Sequence, residues 1–409
     1  MAAGDEGCTI VVCKATNGVA RMRKNDLSRS LVAFDQDSTL IAVIELSLSK
    51  WLVAGVVPGV ERSPLKALGP DPEALLKLIH RWRDEAVKAG KVVRRMVVAY
   101  EAGRDGFWLA RWLRSRGIEA YVIHPTSIPV SREHRRAKSD RIDVRLLFRA
   151  VLGWLRGEAE HCSMVAIPSL EEEDARRPTR EHEMLVGERT SIINRVKAAM
   201  IRLGIRGFNP KLRKAAEQLT SLRSPEGQPL PPHTLAEVQR DLARLALVRA
   251  QLQEIEKQRA QRLQKAPKEG THPMVLMLAK IMGIGVETAD MLVHEVLTRD
   301  LRDERAVGRY AGLTGSPDES GSKRREKGLA KAGNGRVRRS MVELAWRWLM
   351  YQKGSALAQW FVDKTASGQR GARQKFIVAL ARKLLIALWR YVRFGEVPVG
   401  VVLKAEPAR

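Results

Sequence analysis

The sequence predicts an α/β N-terminal domain, then a segment of long helices, then a mostly α C-terminal domain. Short apolar runs alternate with helix-period segments through residues 39–160, which is typical of an α/β domain with parallel strands. Through residues 161–270, apolar residues recur every three or four positions between charges, which indicates helices. Beyond residue 270, a glycine turn and a glycine-broken basic tract follow. The predicted parts are an arm over 1–38, domains over 39–160, 161–270 and 271–365, and a C-terminal basic helix and tail over 366–409.

The composition favours a polyanionic partner. The chain has 72 Lys and Arg against 46 Asp and Glu, a formal net charge of +26, which points first to nucleic acid. An anionic membrane would attract the same charge, but the sequence has no apolar run of about 18 residues to span one. It shows no signal-peptide pattern at its start, so we expect a cytoplasmic protein. Three cysteines, Cys8, Cys13 and Cys162, fit neither a disulfide framework nor zinc-ligand spacing.

The first predicted strand carries an acid inside an apolar run. Residues 40–46 are apolar except for Glu45, and a second apolar run, residues 51–57, follows a short polar turn. We predict an antiparallel strand pair. Because a buried charge is costly unless it is paired or bound to a metal, Glu45 is either half of a structural ion pair or a metal ligand.

A second acid ends a second strand. Residues 72–86 have helical periodicity, and residues 95–101 form an apolar strand that ends in Glu101. A turn, an apolar-striped helix leading to Gly117 and a strand over residues 118–123 follow. Acids at the carboxyl ends of parallel strands lie where such sheets bind their ligands, so Glu101 can converge with the first acid.

Two more acids open a strongly helical run. Asp140 and Asp143 are three residues apart and therefore share one helix face. Acids in a first helical turn also complement the helix dipole, so the pair alone more often marks a solvated helix start. Four convergent carboxylates including Glu45 and Glu101 need cations, and Mg²⁺ or Mn²⁺ takes such oxygen ligands and activates a phosphodiester.

These acids resemble the pattern of the DEDD-type insertion-sequence transposases. Glu101 to Gly103 matches the turn of that family, and residues 138–145, K-S-D-R-I-D-V-R, match its box around the last two acids. Glu45 departs from the pattern, which has Asp there, and Asp35 and Asp37 are weaker candidates for that role. The resemblance implies an RNase H-like (RuvC-like) N-terminal domain, similar to the Holliday-junction resolvase. The metal ligands that it implies are Glu45, Glu101, Asp140 and Asp143.

The middle segment predicts two amphipathic helices, over residues 182–203 and from Pro232 to residue 263. Their apolar stripes fit a helical hairpin or a coiled coil, whose ordinary role is a dimer seam. Arg249 falls where a strict heptad needs an apolar residue. A helix packed only on its own chain therefore stays open as the alternative.

The last domain opens with a G-I-G turn before a helix. Its glycines, Gly283 and Gly285, would let backbone amides approach a phosphate as in helix-hairpin-helix DNA binders, although such a turn is more often only a tight turn. Glycines interrupt the basic tract over residues 323–339, so we predict loops that lie along phosphates. The predicted nucleic-acid-binding residues are Lys138, Arg141, Gly283, Gly285, Lys323, Arg324, Arg325, Lys327, Lys331, Asn334, Arg336, Arg338 and Arg339.

The same block resembles the C-terminal domain of that transposase family. The residues that match in order are Tyr310, Gly312, Leu313, Ser320, Gly321, Lys331, Gly333, Asn334, Arg338 and Arg339. Gly315 stands where the family usually has proline. The resemblance implies that Ser320 is the nucleophile that becomes covalently joined to DNA. Judged without the family, a serine in a basic loop is a phosphate hydrogen-bond donor, and Ser316, which no glycine follows, is the weaker candidate nucleophile.

The end of the chain predicts a loop over residues 354–371 and a basic amphipathic helix over residues 374–392 that packs on the preceding domain. The resemblance implies a bacterial, nucleoid-associated recombinase of an insertion element. It would act as a homo-oligomer, a dimer or tetramer, on donor and target DNA with a structured non-coding guide RNA. A RuvC-like nuclease or junction resolvase that uses water, or an inactive nucleic-acid-binding remnant, are the alternatives. A covalent protein–DNA adduct would distinguish the recombinase from both.

Overall fold

The computed structural model describes residues 30, 32–104, 106–128, 140–158, 161–265, 271–320, 323–329, 332–366, 368 and 371–404, without the side chains of 140–143, 316–320 and 323–327. The strands are β1 Thr39–Leu46, β2 Trp51–Val56, β3 Leu65–Leu68, β4 Arg95–Glu101, β5 Glu119–Ile123, β6 Met164–Val165, β7 Gly315–Ser320 and β8 Lys323–Leu329. The helices are α1 Pro72–Lys88, α2 Trp108–Arg114, α3 Asp140–Leu155, α4 Leu170–Asp174, α5 Arg177–Arg202, α6 Ala215–Gln218, α7 Pro232–Gln264, α8 Thr271–Ala279, α9 Val286–Leu292, α10 Glu304–Tyr310, α11 Gly335–Tyr351, α12 Ala356–Thr365 and α13 Ala372–Phe394.

The N-terminal part is a mixed six-stranded sheet in the order β3-β2-β1-β4-β5-β6. Strand β1 runs antiparallel to β2 and parallel to β4, and β5 is parallel to β4. Both faces are covered: one packs on α1 and α2, the other on α3. Burial on both sides explains why β1 and β4 read as continuous apolar runs. The predicted α/β organisation and the four strands predicted for it, β1, β2, β4 and β5, are therefore confirmed.

The middle segment contains the two predicted long helices. Helices α5 and α7 pack on each other around Ile192, Val196 and Leu245. The helices run antiparallel, because Arg195 of α5 meets Asp241 early in α7, whereas His182 of α5 meets Glu256 late in α7. Arg249 donates to the carbonyl oxygens of Pro210 and Lys211 at 3.4 and 3.1 Å. These hydrogen bonds explain why a charged residue stands where a strict heptad needs an apolar one. The helical hairpin is confirmed within one chain, and the dimer seam stays a prediction.

The C-terminal part is mostly helical around a core that includes Leu344, Trp348, Leu380 and Leu384. The loop predicted over residues 354–371 is wrong in its first half, because α12 occupies residues 356–365. Ser355 caps that helix: its Oγ accepts a hydrogen bond from the Ala358 backbone N–H at 3.3 Å.

The basic tract does not begin as a loop. Strands β7 and β8 form an antiparallel hairpin, and its register sets Asp318 opposite Arg325 and Glu319 opposite Arg324. Opposite charges in directly paired positions favour such a ribbon although it lacks an apolar strand pattern. Among the described helices of the chain, none has the length and apolar character needed to cross a bilayer.

Candidate active site

Two predicted acids stand side by side at the carboxyl edge of the sheet. Ile44 of β1 pairs with Tyr100 of β4 in parallel register, so the next residues, Glu45 and Glu101, lie at the same level on neighbouring strands. Such strands are about 4.8 Å apart. Both glutamates are half-buried. The two glutamates thus lie at the edge of the sheet where the sequence predicted that acids converge, and metal binding by them stays a prediction.

Both glutamates share the sheet face that α3 covers. Side chains alternate along a strand, and Val43 and Ala99, two residues before the two acids, belong to the apolar cluster formed with α3. Helix α3 begins at Asp140, one turn before the buried Val144. The element that carries the other two predicted acids therefore packs on the glutamate face.

The structure does not describe the side chains of the other two acids in the predicted set. The side chains of Asp140, Arg141 and Asp143, and all of Lys138, lie outside the described residues. Within the described side chains, no group of three or more His, Cys, Asp or Glu could hold a metal ion. The weaker candidates, Asp35 and Asp37, precede β1 and therefore lie at the opposite edge of the sheet from Glu45.

Ser320 is the last residue of β7 and pairs with Lys323, so it lies at the far end of the hairpin from the body of the domain. The side chains of Ser316 and Ser320 lie outside the described residues, as do Gly321 and Lys331 and the side chains of Lys323, Arg324, Arg325 and Lys327.

The base of the hairpin is closed by Asn334. Its backbone N–H donates to the carbonyl oxygen of Tyr310 at 2.6 Å, which joins the segment before β7 to the segment after β8. Its side-chain Oδ1 accepts from the backbone N–H groups of Arg336 and Val337 at 3.1 and 3.3 Å and so caps α11. Asn334 therefore has a structural role beside its predicted contact with nucleic acid.

Gly333 lets the two chain segments of this base touch. Its φ is +96°, and a Cβ built on it would lie 2.6 Å from the carbonyl oxygen of Arg309 and from the amide nitrogen of Gly312. A Cβ on Gly312 would in turn lie 2.5 Å from a guanidinium nitrogen of Arg338. Glycines of the family-like block are thus explained by close backbone approach.

The arginines that open α11 already have protein contacts. Arg336 and Arg339 both pair with Glu183 of α5, the latter at 2.7 Å. Arg338 packs its guanidinium against Gly312. These residues link the hairpin base to the helical segment, whatever contacts they make with nucleic acid.

The G-I-G segment is a tight turn between α8 and α9. Gly283 has φ +90°, and a Cβ on it would lie 3.0 Å from the Cβ of Tyr351. Gln352 Nε2 donates to the carbonyl oxygen of Met282 at 2.8 Å and holds the turn against α11. Gly285 precedes the short α9 as its N-cap residue. The predicted glycine turn before a helix is confirmed, and contact of these glycines with nucleic acid stays a prediction.

Two buried carboxylates, Glu295 and Asp290, were not identified from the sequence. Glu295, only 1% exposed, lies in the π-helical turn Val293–Leu297 and accepts from Arg180 Nε at 2.7 Å and from Asn334 Nδ2 at 3.2 Å. Burial, the largest single effect, raises the pKa of Glu295, but the hydrogen bonds and charges of Arg180, Arg176 and Asn334 together outweigh it and hold that pKa below its usual value. Asp290 nearby accepts from Thr179 Oγ1 at 3.1 Å and pairs with Arg259 at 3.2 Å.

One helix face makes most of these contacts. Arg176, which precedes α5, donates to the carbonyl oxygen of His294 at 3.0 Å, and Thr179, Arg180 and Glu183 bind the C-terminal part as described above. Residues spaced by three and four positions share a face. These residues form a polar stripe in the sequence. It was missed because the periodicity analysis used apolar residues only.

Comparison with known proteins gives three matches. The family described as Transposase IS116/IS110/IS902 matches residues 276–360, which contain the hairpin and α11. The "Putative transposase y4rJ" of Sinorhizobium fredii is 41% identical over 371 residues, which are 88% of this chain and 93% of the relative. The "Transposase for insertion sequence element IS1328" of Yersinia enterocolitica is 26% identical over 309 residues, 74% of this chain and 85% of the relative.

Proposed function

The chain belongs to the IS116/IS110/IS902 family of transposases, and we propose that it moves its insertion element through metal-binding carboxylates and a covalent serine–DNA intermediate. The observation that carries the proposal is the register that sets Glu45 beside Glu101 at the carboxyl edge of the sheet. A pair of carboxylates at that level suits a site that binds cations.

The N-terminal domain would be RNase H-like. Its three-stranded antiparallel meander followed by parallel β4 and β5 supports this arrangement. Asp140 and Asp143 would complete the acid set, because they lie one turn before Val144 and Leu147, which α3 buries on the same side of the sheet as the glutamates.

The donor set fits Mg²⁺ or Mn²⁺, since carboxylate oxygens are the ligands that these cations prefer. Glu45, Glu101, Asp140 and Asp143 would hold the ion or ions, which supply charge stabilisation for a phosphodiester under attack. Glu45 reaches one methylene further than the family's Asp, so its strand would stand slightly further from the ion.

Ser320 would attack the DNA from the end of the hairpin. A bond forms between Ser320 Oγ and phosphorus, and the bond from phosphorus to the departing DNA oxygen breaks. The serine proton leaves to the surroundings, and the departing oxygen becomes a hydroxyl. Because one phosphate ester replaces another, the later rejoining needs no outside energy source. The basic residues Lys323, Arg324, Arg325 and Lys327 would bind the flanking phosphates.

The acids and the serine belong to different parts of the chain, so the site would be composite. We propose that a homo-oligomer, a dimer or tetramer, brings the serine of one subunit to the acids of another, with α5 and α7 as the contact surface. The net charge of +26 supports binding of both donor and target DNA and a structured non-coding guide RNA. Sequencing the RNA that copurifies with the protein tests the guide.

The serine is tested by trapping. Ser320→Ala should bind DNA normally but form no covalent adduct, whereas the matched Ser316→Ala should still form one. A phosphate anchor behaves differently, because losing one such hydrogen bond costs about 1 to 3 kcal/mol of binding and leaves the chemistry slow but present. Mass spectrometry of the adduct identifies the residue. A nucleotide on another residue would refute the serine assignment, and cleaved DNA with free ends only would indicate a nuclease that uses water.

A further inference from the structure

Three chain segments meet at the carboxylate of Glu295. Its Oε1 accepts from Arg180 Nε at 2.7 Å, and its Oε2 accepts from Arg180 Nη2 at 3.1 Å and from Asn334 Nδ2 at 3.2 Å. Arg180 belongs to α5, Asn334 follows the hairpin, and Glu295 itself lies in a π-helical turn. Turns of that kind are rare and frequently mark functional sites.

The orientation of the Asn334 amide is fixed by its other contacts. Its oxygen caps α11 by accepting two backbone N–H groups, so its NH₂ must point the other way, to Glu295 Oε2 and, at 3.4 Å, to the Tyr310 hydroxyl. A flipped amide would set NH₂ against two N–H donors. Only an acceptor at position 295 therefore satisfies this arrangement.

The contacts that fix Asn334 also fix both ends of the hairpin. The 2.6 Å bond from its N–H to the Tyr310 carbonyl joins the segment that enters β7 to the segment that leaves β8. A two-stranded hairpin is marginally stable by itself, so its direction depends on how its base is fixed.

We propose that Glu295 is a positioning residue for strand transfer. Through Asn334 it fixes the base of the hairpin that ends in Ser320, and through Arg180 it ties that base to α5 of the helical segment. The proposal rests on the proposed role of Ser320 as nucleophile. A change in the placement of the helical segment would be transmitted by the same contacts to the serine.

Two variants and their combination test the contact. Asn334→Asp keeps an oxygen that caps α11 but sets a carboxylate against Glu295. Glu295→Gln replaces one of the two acceptor oxygens with an NH₂, so that either Asn334 Nδ2 or Arg180 Nε loses its acceptor. In the double variant the amide introduced at position 295 can donate to the carboxylate introduced at position 334, which restores a hydrogen bond and the original net charge. The control is Asp241→Asn, which removes another buried carboxylate held by an arginine, Arg195, at 2.6 and 2.7 Å, but far from the hairpin in the α5–α7 pair.

Three measurements separate positioning from global stability. All variants are assayed well below their unfolding temperatures for DNA binding, for the rate of adduct formation, and for hydrogen exchange of the backbone amides of β7 and β8. Glu295→Gln should bind DNA normally, and each single variant should form adduct about 100-fold more slowly, as a nucleophile displaced by about 1 Å would, and exchange faster in the hairpin. The double variant should recover both, and Asp241→Asn should match the wild type.

The outcomes decide between the proposals. Wild-type adduct rates and hairpin exchange in both single variants would overturn the role of Glu295, and so would an equal loss in Asp241→Asn. If Glu295→Gln fails to fold, Asn334→Asp, which keeps the helix cap, carries the test with the double variant. If the wild type forms no adduct on Ser320, the proposed nucleophile is rejected, and hairpin exchange alone decides whether Glu295 fixes the hairpin.

Discussion

The two candidate centres of chemistry are held in place by different kinds of interaction. Glu45 and Glu101 take their positions from the backbone register of two buried parallel strands, whose neighbouring residues are apolar. Ser320 takes its position from a charged two-stranded hairpin whose base is fixed by Asn334 and Glu295. We therefore expect substitutions at the acids to change the chemistry more than the stability, because backbone pairing and apolar side chains hold these strands together. At the hairpin base we expect chemistry and stability to be coupled, because polar contacts such as that of Asn334 with Glu295 hold the hairpin in place.

The largest effect should come from the acid edge and leave the fold unchanged. Glu101→Gln removes a proposed metal ligand, so DNA cleavage should fall to background, while the free energy of unfolding changes by less than about 1 kcal/mol. Cleavage assays and urea unfolding measure the two quantities. Mg²⁺ at about 100 times its dissociation constant should stabilise the wild type by about 2.7 kcal/mol and the variant by much less.

The control for this variant lies at the other edge of the same sheet. Glu119 in β5 accepts from Arg95 at 2.7 and 2.8 Å, so Glu119→Gln should lose stability and keep cleavage. Cleavage by Glu101→Gln at the wild-type rate would show that this acid is only structural.

The next effect should couple stability and chemistry at the hairpin base. Gly333→Ala adds a Cβ 2.6 to 2.8 Å from three backbone atoms, in a conformation that costs about 1 to 2 kcal/mol for a residue with a Cβ. We expect a loss of more than about 2 kcal/mol in the free energy of unfolding together with slower adduct formation. Denaturant unfolding and trapping of the adduct check this.

Gly328→Ala is the matched variant, because Gly328 also has positive φ, +66°, but no heavy atom among the described residues lies within 4 Å of the added Cβ. It should cost only the backbone strain, about 1 kcal/mol, and leave the adduct rate unchanged. Equal effects of the two substitutions would mean that the closeness of the two segments at the base is unimportant.

The difference between elements held by apolar burial and elements held by polar contacts also explains which elements the sequence could predict. Strands β1, β2 and β4 and helices α1, α5, α7 and α13 follow from local periodicity, and the pairing of Glu45 with Glu101 follows from strand ends. Strand β3 was missed because three of its four residues are exposed at a sheet edge. The hairpin was predicted as loops because its stability comes from residues paired across the turn rather than from an apolar pattern.

The polar contacts behind the hairpin could not be predicted for a related reason. Glu295 is 115 residues from Arg180 and 39 from Asn334 in sequence, and nothing local marks it as their partner. Asn334 was assigned to nucleic acid through the resemblance, whereas its described contacts cap a helix and close the hairpin. Motif order can thus reflect a structural need as well as a chemical one.

The smallest expected effect is a pH dependence of the free energy of unfolding, caused by the contact of His182 in α5 with Glu287 in α9. His182, with 5% of its side chain exposed, lies between Glu287 at 2.7 Å and Glu256 at 3.1 Å, with Arg259 also near. The hydrogen bond to Glu287 raises the pKa of His182 and outweighs the opposing effect of burial. A raised pKa in the folded state means that this stabilisation is complete below the unfolded pKa of about 6.5 and is lost as pH rises through the folded value. Both carboxylates are more than half exposed, so we expect the loss to stay below about 1 kcal/mol. Urea unfolding from about pH 6 to about pH 9 should show it in the wild type and in the exposed control His233→Gln but not in His182→Gln, and an unchanged slope in His182→Gln would assign the dependence to another group.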